Sequence, residues 1–116
     1  MIKCYHARRT HKDHIFEVPL IATIYSDKED VDIIWDCCNN SCWWNGSDYL
    51  KMKEYNRFGT NFRVDFTSKY WGYCNDDLII EMGGKYYCSL PMGWKELDTL
   101  ESAIEFCRQN SHFCRR

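Results

Sequence analysis

Between His14 and Tyr25 the chain alternates, with Phe16, Val18, Leu20, Ala22 and Ile24 on one side and Glu17, Pro19 and Thr23 on the other. A period of two predicts a half-buried strand. Pro19 has no amide proton to give a neighbour, so this strand is expected at a sheet edge or at a bulge. The polar run Ser26-Asp27-Lys28-Glu29-Asp30 predicts a turn. Val31, Ile33 and Trp35 then predict a second strand, paired with the first as a hairpin. Further on, Phe62, Val64 and Phe66 alternate with Arg63, Asp65 and Thr67 and predict another strand.

The strongest local signal is Gly83-Gly84, flanked by Asp77–Met82 and Lys85–Leu90. Two glycines allow positive φ at both central positions of a tight hairpin turn. Counting outward pairs Ile80 with Tyr87 and Ile79 with Cys88, which puts apolar groups on both faces and predicts a central place in a sheet. Pro91-Met92-Gly93-Trp94 is expected to turn the chain into a helix. Asp98 and Glu101 resemble a capping box, with aspartate in place of Ser or Thr. Leu97, Leu100, Ala103, Ile104 and Cys107 share one helical face, and Arg108 suits the negative end of the helix dipole, with the end expected near Asn110. A shorter helix from Ser47 or Asp48 to about Arg57 competes with a loop, because Gly46 and Gly59 bracket it.

This order of elements predicts one α+β domain over residues 1–116. It is an antiparallel sheet of about five strands built from hairpins, with a C-terminal helix on one face and room for a short middle helix. A length of 116 residues suits one core, and two cores would each be too small. No repeat, linker or low-complexity stretch divides it. No apolar run approaches the roughly 18 residues that cross a bilayer, so no membrane association is expected.

Composition changes the picture in two places. Eight cysteines are about 7% of the chain, just below the roughly 8–10% of a disulfide scaffold. The segment Met1–Arg9 is basic and lacks the apolar stretch of a secretory signal, so a cytoplasmic protein with free thiols is expected. There are also five Trp, eight Tyr and six Phe, against a net charge of only −2, which indicates neither a polybasic binder nor a strongly acidic mimic.

Several constellations are candidates for chemistry. Cys37, Cys38 and Cys42 crowd one loop, and Cys4-x-His6 and His112-x-Cys114 are candidate second knuckles. Structural zinc commonly takes two short-spaced ligand pairs, and here none completes the first. The three thiols are therefore only weak metal candidates, and no cofactor is implied. Arg9 and His14 have the Arg-x4-His spacing of one class of helical ribonucleases, but this segment leads into a strand. No Gly-rich phosphate loop, nucleophile elbow or His-Glu-x-x-His occurs.

Residues 51–71 hold five basic side chains (Lys51, Lys53, Arg57, Arg63, Lys69) against Glu54 and Asp65, interleaved with Tyr55, Phe58, Phe62, Tyr70 and Trp71. Such a pattern suits single-stranded nucleic acid. An ordinary strand with basic outward positions explains it as well. Asp27, Glu29, Asp30, Asp32 and Asp36 make an acidic cluster, offset only by Lys28. It is either a solvated face or a steering surface for a basic partner. Trp43, Trp44, Tyr70 and Trp71 sit in Gly- or Asn-bearing stretches and are candidate interface anchors, because large rings bury much area with few rotatable bonds. The competing reading places these rings in the core.

The combination favours a non-enzymatic protein-binding module, a stoichiometric inhibitor of a larger protein. A phage-encoded, anti-CRISPR-like antagonist of a bacterial nuclease defence is one example. The expected contacts are Trp43, Trp44, Tyr70, Trp71, Asp27, Glu29, Asp30 and Asp32, and the expected partner is a nucleic-acid-handling enzyme. A small zinc-binding or single-strand-binding domain is the alternative, and a small ribonuclease the third reading.

Overall fold

The computed structural model describes residues 1–10, 13–26, 29–31, 62–69, 77–90, 93–110 and 114–115. They form a six-stranded antiparallel sheet, a small three-stranded sheet and a C-terminal helix, an α+β fold with the helix on the sheet. The strands are β1 (Ile2–His6), β2 (Arg8–Arg9), β3 (Phe16–Glu17), β4 (Leu20–Ser26), β5 (Phe62–Phe66), β6 (Leu78–Met82), β7 (Lys85–Leu90), β8 (Gly93–Leu97) and β9 (Cys114–Arg115). The helix α1 spans Leu100–Asn110. In the large sheet the order is β5-β4-β1-β6-β7-β8, and in the small one β3-β2-β9.

The first residues of the chain form an interior strand. Ile2, Cys4 and His6 are buried while Lys3 and Tyr5 are half-buried, the alternation of a strand with two unlike faces. β4 pairs with one side of β1 and β6 with the other. This strand was not evident from the basic character of Met1–Arg9.

The stretch from His14 to Tyr25 is two strands. Phe16–Glu17 joins the small sheet, and Leu20–Ser26 joins the large one. Pro19 lies between them, and its carbonyl accepts a hydrogen bond of 3.1 Å from the His6 amide. The β1–β4 register steps from Cys4 opposite Ala22 to Tyr5 opposite Leu20, so Ile21 is an extra residue. One bulged residue changes which side the following side chains take. Phe16 and Val18 accordingly pack on the helix side, while Ala22 and Ile24 pack on the opposite side. The bulge is the one Pro19 implied, although β4 lies inside the sheet. Both flanks of β4 are taken by β1 and β5, and Val31 is helical. These pairings replace the hairpin expected between this strand and residues 31–35, and Asp32 to Trp35 lie outside the described residues. The short helix expected near residues 47–57 also lies outside them.

The β6–β7 hairpin has the counted register, Ile80 opposite Tyr87 and Ile79 opposite Cys88. Gly83 and Gly84 take φ of 60° and 78°, the left-handed pair that a type I′ turn demands. Residues 93–97 then form a third strand of this meander, where a turn into the helix was expected. Gly93-Trp94-Lys95-Glu96-Leu97 has no clean alternation, and pairing to β7 supplies what its own pattern lacks.

α1 begins one residue later than the sequence implies. The Ser102 amide donates to Thr99 Oγ1 at 3.1 Å, and the Thr99 amide donates to Ser102 Oγ at 3.3 Å. This is a reciprocal cap, with serine in the usual place of glutamate. Asp98 instead pairs with Lys85 across 2.5 Å. The apolar face of α1 packs against the sheet through Leu100, Ala103, Ile104 and Cys107, with Leu97, Ile79 and Cys88 beneath. The other face of the sheet carries Ile2, Cys4, Ala22, Ile24, Leu78, Ile80 and Met82, with Phe66, Tyr87 and Trp94 packed against them.

The two sheets are linked by a buried cation. Arg8 is 1% exposed, and its guanidinium donates to Glu17 at 2.7 Å and to the Lys69 carbonyl at 2.7 Å. It joins β2, β3 and the segment after β5. Arg108 on α1 stacks 4.8 Å over the Phe16 ring and ties β3 to the helix.

Two substitutions test this framework by chemical denaturation. Ile80→Ala should cost about 2–5 kcal/mol, while Lys95→Ala on exposed β8 should stay within about 0.5 kcal/mol. Arg8→Ala strands Glu17 and the Lys69 carbonyl without their donor, and should cost about 3 kcal/mol.

Candidate interaction surface

Of the eight contact residues read from the sequence, Glu29 and Asp30 fall among the described residues, and both are exposed. Trp43, Trp44, Tyr70, Trp71, Asp27 and Asp32 lie outside them, as do Cys37, Cys38 and Cys42. Glu29 stands against the β6–β7 turn: a Cβ built on Gly83 would lie 3.2 Å from its Oε2. Its charge reaches Tyr87, whose phenol is held above its ordinary pKa first by burial and then by a hydrogen bond to Glu96. Glu29 at the hairpin turn and Glu96 on β8 thus both act on Tyr87, while the nearby cation Lys85 is paired with Asp98. Asp98 holds the lysine's pKa up, and the lysine holds the aspartate's down.

The helix side of the sheet carries a second polar group. The strand registers align Asp65, Thr23, Lys3, Glu81, Tyr86 and Leu97 in one row running from β5 to β8. α1 packs over β6, β7 and β8, at one end of that row. Toward the other end Asp65 is exposed, and Tyr25, next along β4 on the same face, keeps 40% of its surface open.

Glu81 is the electrostatic centre of the row. Tyr5 donates to its Oε1 at 3.1 Å, and the Glu81 charge also reaches the phenol of Tyr86, its partner across the β6–β7 hairpin. Burial is the main reason the Tyr5 phenol is pushed up to about 12, and the neighbouring Glu81 charge adds to it. The same two causes, in the same order, raise Tyr86. A carboxylate that accepts a phenolic proton makes a strong charge-assisted hydrogen bond, which holds the Tyr5 ring in place. Sequence reasoning missed this trio. The Glu81–Tyr86 pairing was available by counting outward from Gly83-Gly84, whereas Tyr5 required the placement of β1.

The other constellations have different roles here. Arg9 and His14 close the β2–β3 connection: the Arg9 guanidinium donates to the His14 carbonyl at 3.0 Å, and His14 N donates to Thr10 O at 3.0 Å. Cys4 and His6 are buried on one face of β1, with Cys4 packed among Ile24, Leu78 and Ile80. Among the described residues no group of three or more His, Cys, Asp or Glu side chains could hold a metal ion. Among the same residues no helix is long and apolar enough to cross a membrane. In the basic, aromatic-rich stretch, Phe66 packs against the core and Lys69 is exposed. No family model, curated protein or solved structure gives a significant match to the chain.

The Tyr5–Glu81 contact has a pH signature. A phenol raised from 10.0 to about 12 on folding contributes stability that is complete below pH 10 and is lost as pH climbs through about 12. Tyr5→Phe should remove one late tyrosinate from the alkaline absorbance titration. It should also flatten the loss of stability across that pH window, measured by denaturant melts.

Proposed function

We propose that the chain is a protein-binding module that acts by stoichiometric occlusion of a larger partner and turns over no substrate. The observation that supports this reading is the acidic tip, where exposed Glu29 stands against the two-glycine hairpin turn and acts with Glu96 on Tyr87, and exposed Asp30 follows it in the chain. Acidic groups held on a rigid element present a defined field, which speeds encounter with a basic surface and selects among partners. A basic groove of the kind that binds nucleic acid is the complementary surface, so a nucleic-acid-handling enzyme is the proposed partner class. A phage-encoded antagonist of a nuclease defence is one protein of this kind. Trp43, Trp44, Tyr70 and Trp71 are the proposed anchors, and the acidic tip supplies steering and register.

The test is quantitative capture of the partner from the native host, followed by binding kinetics on the purified pair. Glu29→Lys with Asp30→Lys should lower the association rate about tenfold at low salt and flatten its salt dependence. Trp43→Ala with Trp71→Ala should weaken affinity at least about 100-fold by speeding dissociation, with the circular dichroism spectrum unchanged. Unaltered binding by both folded double variants would overturn the reading.

A further inference from the structure

Cys88 lies in the middle of β7 facing α1, and Cys107 lies on α1 facing β7. Both belong to the apolar cluster that holds the helix on the sheet, at 0% and 3% exposure. Cys88 Sγ is 3.7 Å from the Ala103 carbonyl oxygen, one helical turn before Cys107 and on the same face of α1. Both side chains belong to the one cluster between helix and sheet, and each thiol shifts the other's pKa. Cys4, the other described free cysteine, lies on the opposite face of the sheet in a separate cluster.

We propose that Cys88 and Cys107 are a redox-closable pair, in which oxidation by a peroxide joins α1 covalently to β7. The Cys88 thiol donates toward the Ala103 carbonyl. The neighbouring Cys107 thiol lowers the Cys88 pKa, while Cys88 and burial raise that of Cys107. Cys88 is therefore the sulfur that becomes thiolate first and attacks. Its attack on hydrogen peroxide breaks the O–O bond and gives a Cys88 sulfenic acid and hydroxide. Cys107 then attacks the Cys88 sulfur and loses its proton. The S–S bond forms, the sulfenic oxygen leaves as hydroxide, and the proton makes it water. Two thiols give up two electrons, and one peroxide becomes two waters.

Cys107 is three residues from the end of α1, so opening of the last helical turn admits the oxidant without global unfolding. The product closes a loop of about twenty residues that contains β8, the Thr99 cap and most of α1. The helix is then fixed beside the Tyr5–Glu81–Tyr86 group, whatever the module binds.

The test uses the full chain. The folded, reduced protein is treated with hydrogen peroxide, its remaining thiols are alkylated, and its peptides are mapped by mass spectrometry. The expected result is a peptide pair joined through Cys88 and Cys107, with Cys4 still recovered as a thiol. The melting temperature should rise by at least about 5 °C and return when dithiothreitol is added. In Cys107→Ala, Cys88 should be trapped by a sulfenic-acid reagent. Recovery of both cysteines as alkylated thiols in the wild-type protein, or their linkage to other cysteines, would overturn the proposal without needing the variant to fold.

Discussion

The sheet is held together by the insertion of β1 between β4 and β6. The β4–β5 pair and the β6–β7–β8 meander lie on opposite sides of this five-residue strand, and in the six-stranded sheet they meet only through it. Ile2 and Cys4 fill the apolar face, and Tyr5 stands on the other. The two partners are far away in sequence, at residues 20–24 and 78–81, so chain entropy must be overcome before either ladder forms. A topology of this kind folds more slowly than one built from local contacts. Arg8 extends the same constraint into the small sheet: two residues beyond β1, it draws Glu17 and the Lys69 carbonyl toward one buried guanidinium.

With β1 in place the two faces of the sheet take different characters. One is apolar from Ile2 to Met82 and packs Phe66 and Trp94 against it. On the other, α1 covers β6 to β8 with Leu100, Ala103, Ile104 and Cys107, and a polar row runs on toward β5. Glu81 stands where these regimes meet. Its charge is tolerated in a half-buried position because Tyr5 donates to it, and that bond orients a ring that would otherwise rotate. The acidic tip and the cysteine pair both involve the β6–β7–β8 meander. Glu29 stands against its turn, whereas Cys88 on β7 meets Cys107 of α1 under the helix.

Part of this was legible in the chain. Gly83-Gly84 specified the hairpin and its register, because few other dipeptides accept two positive φ values without strain. The face formed by Leu100, Ala103, Ile104 and Cys107 specified the helix, and the acidic composition of residues 26–30 foretold the exposure of Glu29 and Asp30. Other features were hidden for identifiable reasons. Thr99 caps α1 because Ser102 reciprocates, while Asp98 is claimed by Lys85 from a different strand. β8 lacks alternation of its own. The alternation from Phe16 to Ile24 looked like one face, yet the bulge opposite Cys4 and Tyr5 sends its two halves to opposite sides.

Local rules thus determined what a turn or a helical face settles within a few residues: the Gly83-Gly84 hairpin, the C-terminal helix, the β5 strand and the α+β class. Tertiary structure alone decided the interior place of Ile2–His6, the division at Pro19, the Tyr5–Glu81–Tyr86 group and the meeting of Cys88 with Cys107. Each of these depends on segments tens of residues apart, or on a one-residue shift in register, and neither leaves a periodic trace in the sequence.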